Sequence, residues 1–248
     1  MGTPKTSRSR EVRRARLAVP PAIDSAPVVG LWGMRGSGKT TRARQLVSHA
    51  RRVVVFDPLA EWCTFPGWTA ATGPGEVLAL LKRRWRLGWR IAMRPTVADP
   101  AQLPAELHRL ACLLWDAQRP YPDCPAIVLV VDELNLSYPA HRLPAGLYGI
   151  GRLVLQGRHR GVAVVGISQR PALVSLDFRG NCLGHYVHAL GAPQDRAAIV
   201  QLIGAQHALA IARLAPHQFL EVWGGQVRLS NNRGRPAVRP AHQLATRP

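Results

Sequence analysis

The stretch that most constrains this chain is VVGLWGMRGSGKTT, residues 28–41. An apolar, strand-like run leads into Gly33, Met34, Arg35, Gly36, Ser37, Gly38, Lys39, Thr40 and Thr41, and a helix-like segment follows. Every fixed position of the pattern G-x-x-x-x-G-K-[ST] is filled. A loop of this kind wraps phosphate with backbone N–H groups, and its glycines allow positive φ angles and a close approach that a Cβ would obstruct. In such a loop Lys39 reaches the β- and γ-phosphates and Thr40 offers its hydroxyl to Mg²⁺. The helix that follows turns its positive end toward the anion. The stretch therefore predicts a strand–loop–helix unit that binds a nucleoside triphosphate through residues 33–41, with Mg²⁺ beside it.

The rest of the chain alternates strand-like and helix-like segments, which predicts a mainly parallel α/β sheet flanked by helices. Residues 53–56 form a short β-branched run. Residues 126–131 (AIVLVV) and 162–167 (VAVVGI) are apolar at every position, as central parallel strands covered on both faces must be. Residues 91–93 read as an edge strand and 186–190 as a further strand. Helical spacing marks residues 39–50, 75–87, 101–118, 143–156 and 194–203. Residues 219–223 and 226–229, separated by Gly224-Gly225, predict a C-terminal β-hairpin. The expected organisation is a basic arm over residues 1–26, one domain over 27–230, and an Arg/Pro-rich tail over 231–248.

Two acidic residues directly follow the AIVLVV strand. Asp132 is placed to hold Mg²⁺ through its water shell, and Glu133 to act as the general base that polarises an attacking water. The strand at 162–167 ends in GISQRP, where Ser168 or Gln169 presents a polar side chain toward the same region; a plain loop stopped by Pro171 is the competing reading. Asp57 caps its strand and carries no assigned chemistry.

Charge narrows the partners. The 248 residues hold 33 Lys+Arg against 14 Asp+Glu, a formal net charge of +19, which favours a polyanion such as nucleic acid. The mixture KRRWRLGWR at 82–90 interleaves cations with Trp85 and Trp89. It fits phosphate contact with aromatic stacking, and equally a solvated helix end whose tryptophans anchor in the core. Cys63, Cys112, Cys124 and Cys182 lack metal-ligand spacing and suit a reducing cytoplasm. No apolar run approaches the roughly 18 residues of a membrane span, so no membrane insertion is expected.

The succession GMRGSGKTT, VVFDP (54–58), IVLVVDE (127–133) and GRHRGVAVVGISQRP (157–171) resembles the FtsK/HerA superfamily of DNA-pumping ATPases. The strand ending in S-Q-R-P after a G-R-x-x-G turn is the most distinctive part, and the likeness runs from about residue 28 to 202. The compact size is most similar to viral genome-packaging ATPases. The resemblance implies a RecA-like P-loop NTPase fold of the ASCE type, with an additional strand between the two that carry the P-loop and Asp132-Glu133. It implies Lys39, Glu133 and Gln169 as catalytic residues and Thr40 and Asp132 at the metal. It also implies an arginine finger from a neighbouring subunit, with Arg158 first and Arg160 and Arg179 as alternatives. As partners it implies sequence-independent double-stranded DNA, gripped through residues 82–90 or 135–142, a viral capsid or portal vertex, and a homo-oligomeric ring of five or six subunits. It places the protein in the host cytoplasm or the virion. The rival expectations are a filamentous-phage-type assembly or extrusion ATPase, a cellular or conjugative DNA pump, and a nucleotide-dependent DNA-binding scaffold.

Overall fold

Runs with no polar position must be covered on both faces, and they form the centre of the sheet in the computed structural model, which describes residues 22–118 and 126–232. The strands are β1 (Val28–Trp32), β2 (Arg52–Phe56), β3 (Thr69–Ala71), β4 (Trp89–Met93), β5 (Ile127–Val131), β6 (Val162–Ser168), β7 (Gly184–His188), β8 (Gln218–Trp223) and β9 (Gln226–Asn231). Their order is β3-β4-β2-β5-β6-β1-β7-β8-β9. Pairing is parallel from β3 through β7 and antiparallel at β7–β8 and β8–β9.

Alternation along β5 divides the core into two layers. Ile127, Leu129 and Val131 point into one layer. It is covered by α2 (Pro74–Arg84), α3 (Leu103–Ala117) and α5 (Gly149–Gln156), through Leu81, Leu107, Leu110 and Leu153. Val128 and Val130 point into the other, which holds Ala43 of α1 (Lys39–Leu46) together with Trp62 and Phe65. The remaining helices are α4 (Leu134–Ser137), α6 (Leu176–Asn181), α7 (Pro193–Ile203) and α8 (Ala208–Ala212). No helix among the described residues is long and apolar enough to cross a membrane.

The mainly parallel sheet and the terminal hairpin match expectation, and β6 does lie between β1 and β5. Several details differ. Residues 91–93 belong to β4, which is flanked on both sides, and the edge is β3, three residues too short to leave a periodic signal. The helix expected from residue 143 begins at Gly149, after a turn at Ala145–Leu147. Residues 82–90 carry no exposed aromatic platform. Trp89 starts β4 and is buried, and Trp85 packs on the core beneath the Arg52 guanidinium, 4.1 Å from its ring centroid. Arg90 donates to the carbonyls of Val47 and Ser48 at the end of α1. The basic arm up to residue 21, Cys124 and the tail from residue 233 lie outside the described residues, and β9 runs on to Asn231, past the expected boundary at 230.

Candidate active site

Parallel strands deliver their C-terminal ends to one edge, where open α/β sheets bind ligands. Here the loops after β1, β2, β5 and β6 converge on a cleft of about 760 Å³ lined by Arg35, Gly36, Gly38, Lys39, Thr40, Thr41, Leu59, Glu61, Asp132, Glu133, Gln169 and His217. The volume lies within the roughly 300–1,000 Å³ usual for a small-molecule site.

The loop from β1 to α1 owes its path to glycine. Gly38 has φ +98° and caps α1, and Gly36 has φ +74°. At Gly33 a Cβ would stand 2.6 Å from the Cβ of His188. The residues of this loop divide into lining and frame. The Gly33 amide donates to the Ser168 carbonyl at 3.3 Å, that of Met34 to the Ala189 carbonyl at 2.8 Å, and that of Ser37 to the Met34 carbonyl at 3.3 Å. Gly33, Met34 and Ser37 thus shape the loop from behind, while Arg35, Gly36 and Gly38–Thr41 face the cleft. Lys39 Nζ donates to the Met34 carbonyl at 2.9 Å. Burial lowers the Lys39 pKa, opposed by the charges of Glu133, Asp132 and Glu61.

Asp132 is 4% exposed, and both its oxygens accept hydrogen bonds: Oδ2 from the Trp62 indole at 2.8 Å, Oδ1 from the Glu133 amide at 3.0 Å. Burial raises its pKa to about 6, against the pull of those two donors. Glu133 adopts the left-handed conformation at φ +46°, a placement that costs a non-glycine residue about 1–3 kcal/mol. That turn aims its carboxylate across the cleft, where it accepts a close hydrogen bond from Gln169 Nε2. Of the two polar residues at the end of β6, Gln169 faces the cleft. Ser168 is buried, donates to Asn135 Oδ1 at 2.7 Å and accepts the Arg170 amide at 3.0 Å.

Three residues without a role in the sequence reading support this arrangement. Asp57, fully buried, accepts the amides of Glu61, Trp62 and Cys63 at 3.0, 2.9 and 3.2 Å. Burial still raises its pKa despite those bonds. The turn it closes seats Trp62 against Phe65 and Trp68 and points the indole N–H at Asp132. Asp57 therefore does more than end β2. The same turn puts Glu61 into the cleft. The signal for both was the D-P-x-x-E-W string at the end of a buried parallel strand, where ligand sites form.

The three arginines fall elsewhere. Arg158 is exposed in the turn Gly157–Arg160, which precedes β6, whereas Gln169 follows it; the length of the strand separates Arg158 from its own cleft. Arg160 stacks on Trp115, 4.7 Å from the ring centroid, and Arg179 is buried with Nε donating to the Val174 carbonyl at 3.2 Å. Residues 135–142 end in exposed His141 and Arg142, which border a second groove of about 670 Å³ beside α5.

The cleft suits Mg²⁺. Three carboxylates, Glu61, Asp132 and Glu133, face it with Lys39, Arg35 and the Thr40 hydroxyl, and carboxylate and hydroxyl oxygens are the ligands Mg²⁺ takes. No group of three or more His, Cys, Asp or Glu able to hold a metal occurs among the described residues. Mg²⁺ needs no such cage when phosphate and water supply most of its ligands.

No protein-family model matches the chain, and no curated protein does either. Solved structures do match. The genome packaging NTPase B204 of Sulfolobus turreted icosahedral virus 2, in complex with sulfate, has a TM-score of 0.65 at 16% identity, covering 87% of this chain and 98% of that one. The same protein in complex with AMPPCP gives 0.64 at 15% identity, with 83% and 97% covered. VirB4 of Thermoanaerobacter pseudethanolicus gives 0.60 at 13% identity, with 80% and 87% covered. At these identities the likeness is one of fold. The chain has the P-loop ATPase fold expected from the FtsK/HerA resemblance, nearly over the whole length of these relatives.

Proposed function

We propose that this protein is a Mg²⁺-dependent ATPase that moves double-stranded DNA, packaging a viral genome into a preformed capsid. The observation that carries the reading is the convergence of Lys39, Thr40, Asp132, Glu133 and Gln169 in one cleft at the C-terminal edge of the sheet. In that cleft Lys39 exchanges the Met34 carbonyl for phosphate oxygens, and the free amides of the loop cradle the β-phosphate. Thr40 and Asp132 would hold Mg²⁺, which when bound would supply positive charge to the phosphate oxygens. Glu133 accepts a proton from the attacking water, the water oxygen bonds to the γ-phosphorus, and ADP leaves with the electron pair of the broken bond. Gln169, hydrogen-bonded to Glu133, orients that base and relays loss of the phosphoryl group to β6 and the loop beyond it.

Arg158 serves a neighbour's cleft in this reading, because its own is out of reach. A guanidinium there meets the charge of the transferring phosphoryl group, which calls for a ring of subunits. The net charge of +19 supplies sequence-independent contact with the DNA backbone, through exposed Lys82, Arg83, Arg84 and Arg86 in one expected contact region or exposed His141 and Arg142 in the other. The packaging role draws on the fold shared with the viral packaging NTPase.

The test is ATP hydrolysis across a salt series, with and without double-stranded DNA, for wild type, Glu133→Gln and Arg158→Ala. DNA-stimulated turnover that salt suppresses and both substitutions abolish supports the proposal. Recovery when Arg158→Ala is mixed with Glu133→Gln subunits places the arginine in trans. Undiminished hydrolysis by Glu133→Gln refutes the site, and turnover indifferent to DNA refutes the translocase.

A further inference from the structure

The sheet order fixes which way a bound nucleotide must point. Glu133 and Gln169, which flank the reacting end, follow β5 and β6 on one side of β1. The other end of a triphosphate chain laid along the β1–α1 loop must therefore emerge on the opposite side, toward β7, β8 and β9. Two residues of the C-terminal hairpin region stand there, close to Gly38. A Cβ on Gly38 would meet Asn232 Nδ2 at 2.3 Å and His217 Nδ1 at 2.8 Å.

Their placement is built by several contacts. Asn232 Nδ2 donates to the Gly38 carbonyl at 2.9 Å, Gln45 Nε2 of α1 donates to the Asn232 carbonyl at 3.1 Å, and the Asn232 amide donates to the His217 carbonyl at 3.1 Å. His217 adopts φ +66°, unusual for any residue with a side chain. The result is an exposed imidazole at the rim of the cleft it shares with Lys39, Thr40 and Thr41. Among the residues lining that cleft it is the only aromatic ring.

We infer that His217, held by Asn232, is a contact for the nucleoside end of the bound nucleotide, meeting the ribose. The inference rests on the nucleotide-binding reading above and extends it to a hairpin the P-loop motif does not include. An imidazole suits the position because a ribose hydroxyl both donates and accepts, and the ring offers an acceptor at one nitrogen and a donor at the other. A consequence is that the site draws on the loop after β1 and on the residues flanking the C-terminal hairpin together.

The test compares equilibrium binding of ATP and of inorganic tripolyphosphate, each with Mg²⁺, to full-length wild type, His217→Ala, His217→Asn and Lys39→Ala. Asn tolerates the left-handed backbone and so retains the loop, which guards against reading a folding defect as lost contact. In both His217 variants ATP should bind more weakly by roughly 2- to 10-fold, the range spanned by one hydrogen bond, while tripolyphosphate is unchanged. Lys39→Ala should weaken both ligands. Equal weakening of the two ligands in both His217 variants, or no change in either, overturns the inference while leaving nucleotide binding intact. Wild type that binds neither ligand overturns the nucleotide-binding reading itself.

Discussion

Replacing Trp62 by Phe tests whether the turn after β2 holds the acidic centre. The substitution keeps an aromatic ring against Phe65 and Trp68 and deletes one N–H, which donates to Asp132 Oδ2 at 2.8 Å. The acceptor is 4% exposed and its other oxygen is already engaged by the Glu133 amide, so the lost donor is poorly replaced by water. A hydrogen bond to a charged group contributes about 1.5–3 kcal/mol, and the smaller ring costs on the order of 1 kcal/mol more in packing. Only the first part depends on Asp132. Urea denaturation of wild type, Trp62→Phe, Asp132→Ala and the double variant separates the two. It is run at pH 7.5, above the value of about 6 to which burial raises Asp132, so that the carboxylate is charged. A coupling of about 1.5–3 kcal/mol is expected, with Trp62→Phe costing little beyond packing once Asp132 is gone. Trp62→Phe should also weaken Mg²⁺-dependent ATP binding, since the carboxylate is freed to turn. A coupling below about 0.5 kcal/mol, the usual scatter of independent sites, would refute the reasoning.

Asp57→Asn halves the acceptor offered to three amides, and a loss of about 2 kcal/mol in urea denaturation is expected, with the same weakening of Mg²⁺-ATP binding. Gly38→Ala sets a Cβ against Asn232 and His217 at φ +98° and should weaken ATP binding on the order of tenfold or more in a calorimetric titration. Acid should destabilise the fold through two buried histidines, His185 held down to about 4 and His188 to about 3, chiefly by loss of hydration. Unfolded, both titrate near 6.5, so between that pH and about 4 the unfolded chain binds protons the folded one refuses. Stability then falls as pH falls, by about 1.4 kcal/mol per pH unit for each histidine near pH 5. Asp132 and Asp57, whose pKa values burial raises, act in the opposite sense over part of this range. His188→Leu isolates one histidine: its urea midpoint should fall less between pH 7 and pH 5 than that of wild type, and an unchanged slope would count against the assignment.

The sequence by itself determined the features that depend on local chemistry. Gly36, Gly38, Lys39 and Thr40 specify a phosphate-type loop because the backbone path needs glycine where they stand, and the residues in question are neighbours in the chain. β2, β5 and β6 were legible because burial on both faces leaves residues 53–56, 127–131 and 162–167 apolar throughout, and Asp132-Glu133 and Gln169 because they stand at the ends of such runs. What only the tertiary structure decided depends on contacts between distant segments. Nothing local to Trp62 announces a hydrogen bond to a carboxylate 70 positions later, and nothing in Asn232 announces its bond to Gly38, 194 positions earlier. The tryptophans at 85 and 89 suited a nucleic acid platform as well as a core, and only the packing of β4 and the Arg52 stack decided between them. The division of residues 33–41 into frame and lining was equally invisible, because it is set by carbonyls on β6 and just beyond β7. Periodicity records which side of an element is buried; it carries no record of what buries it, and the site is made of such pairings.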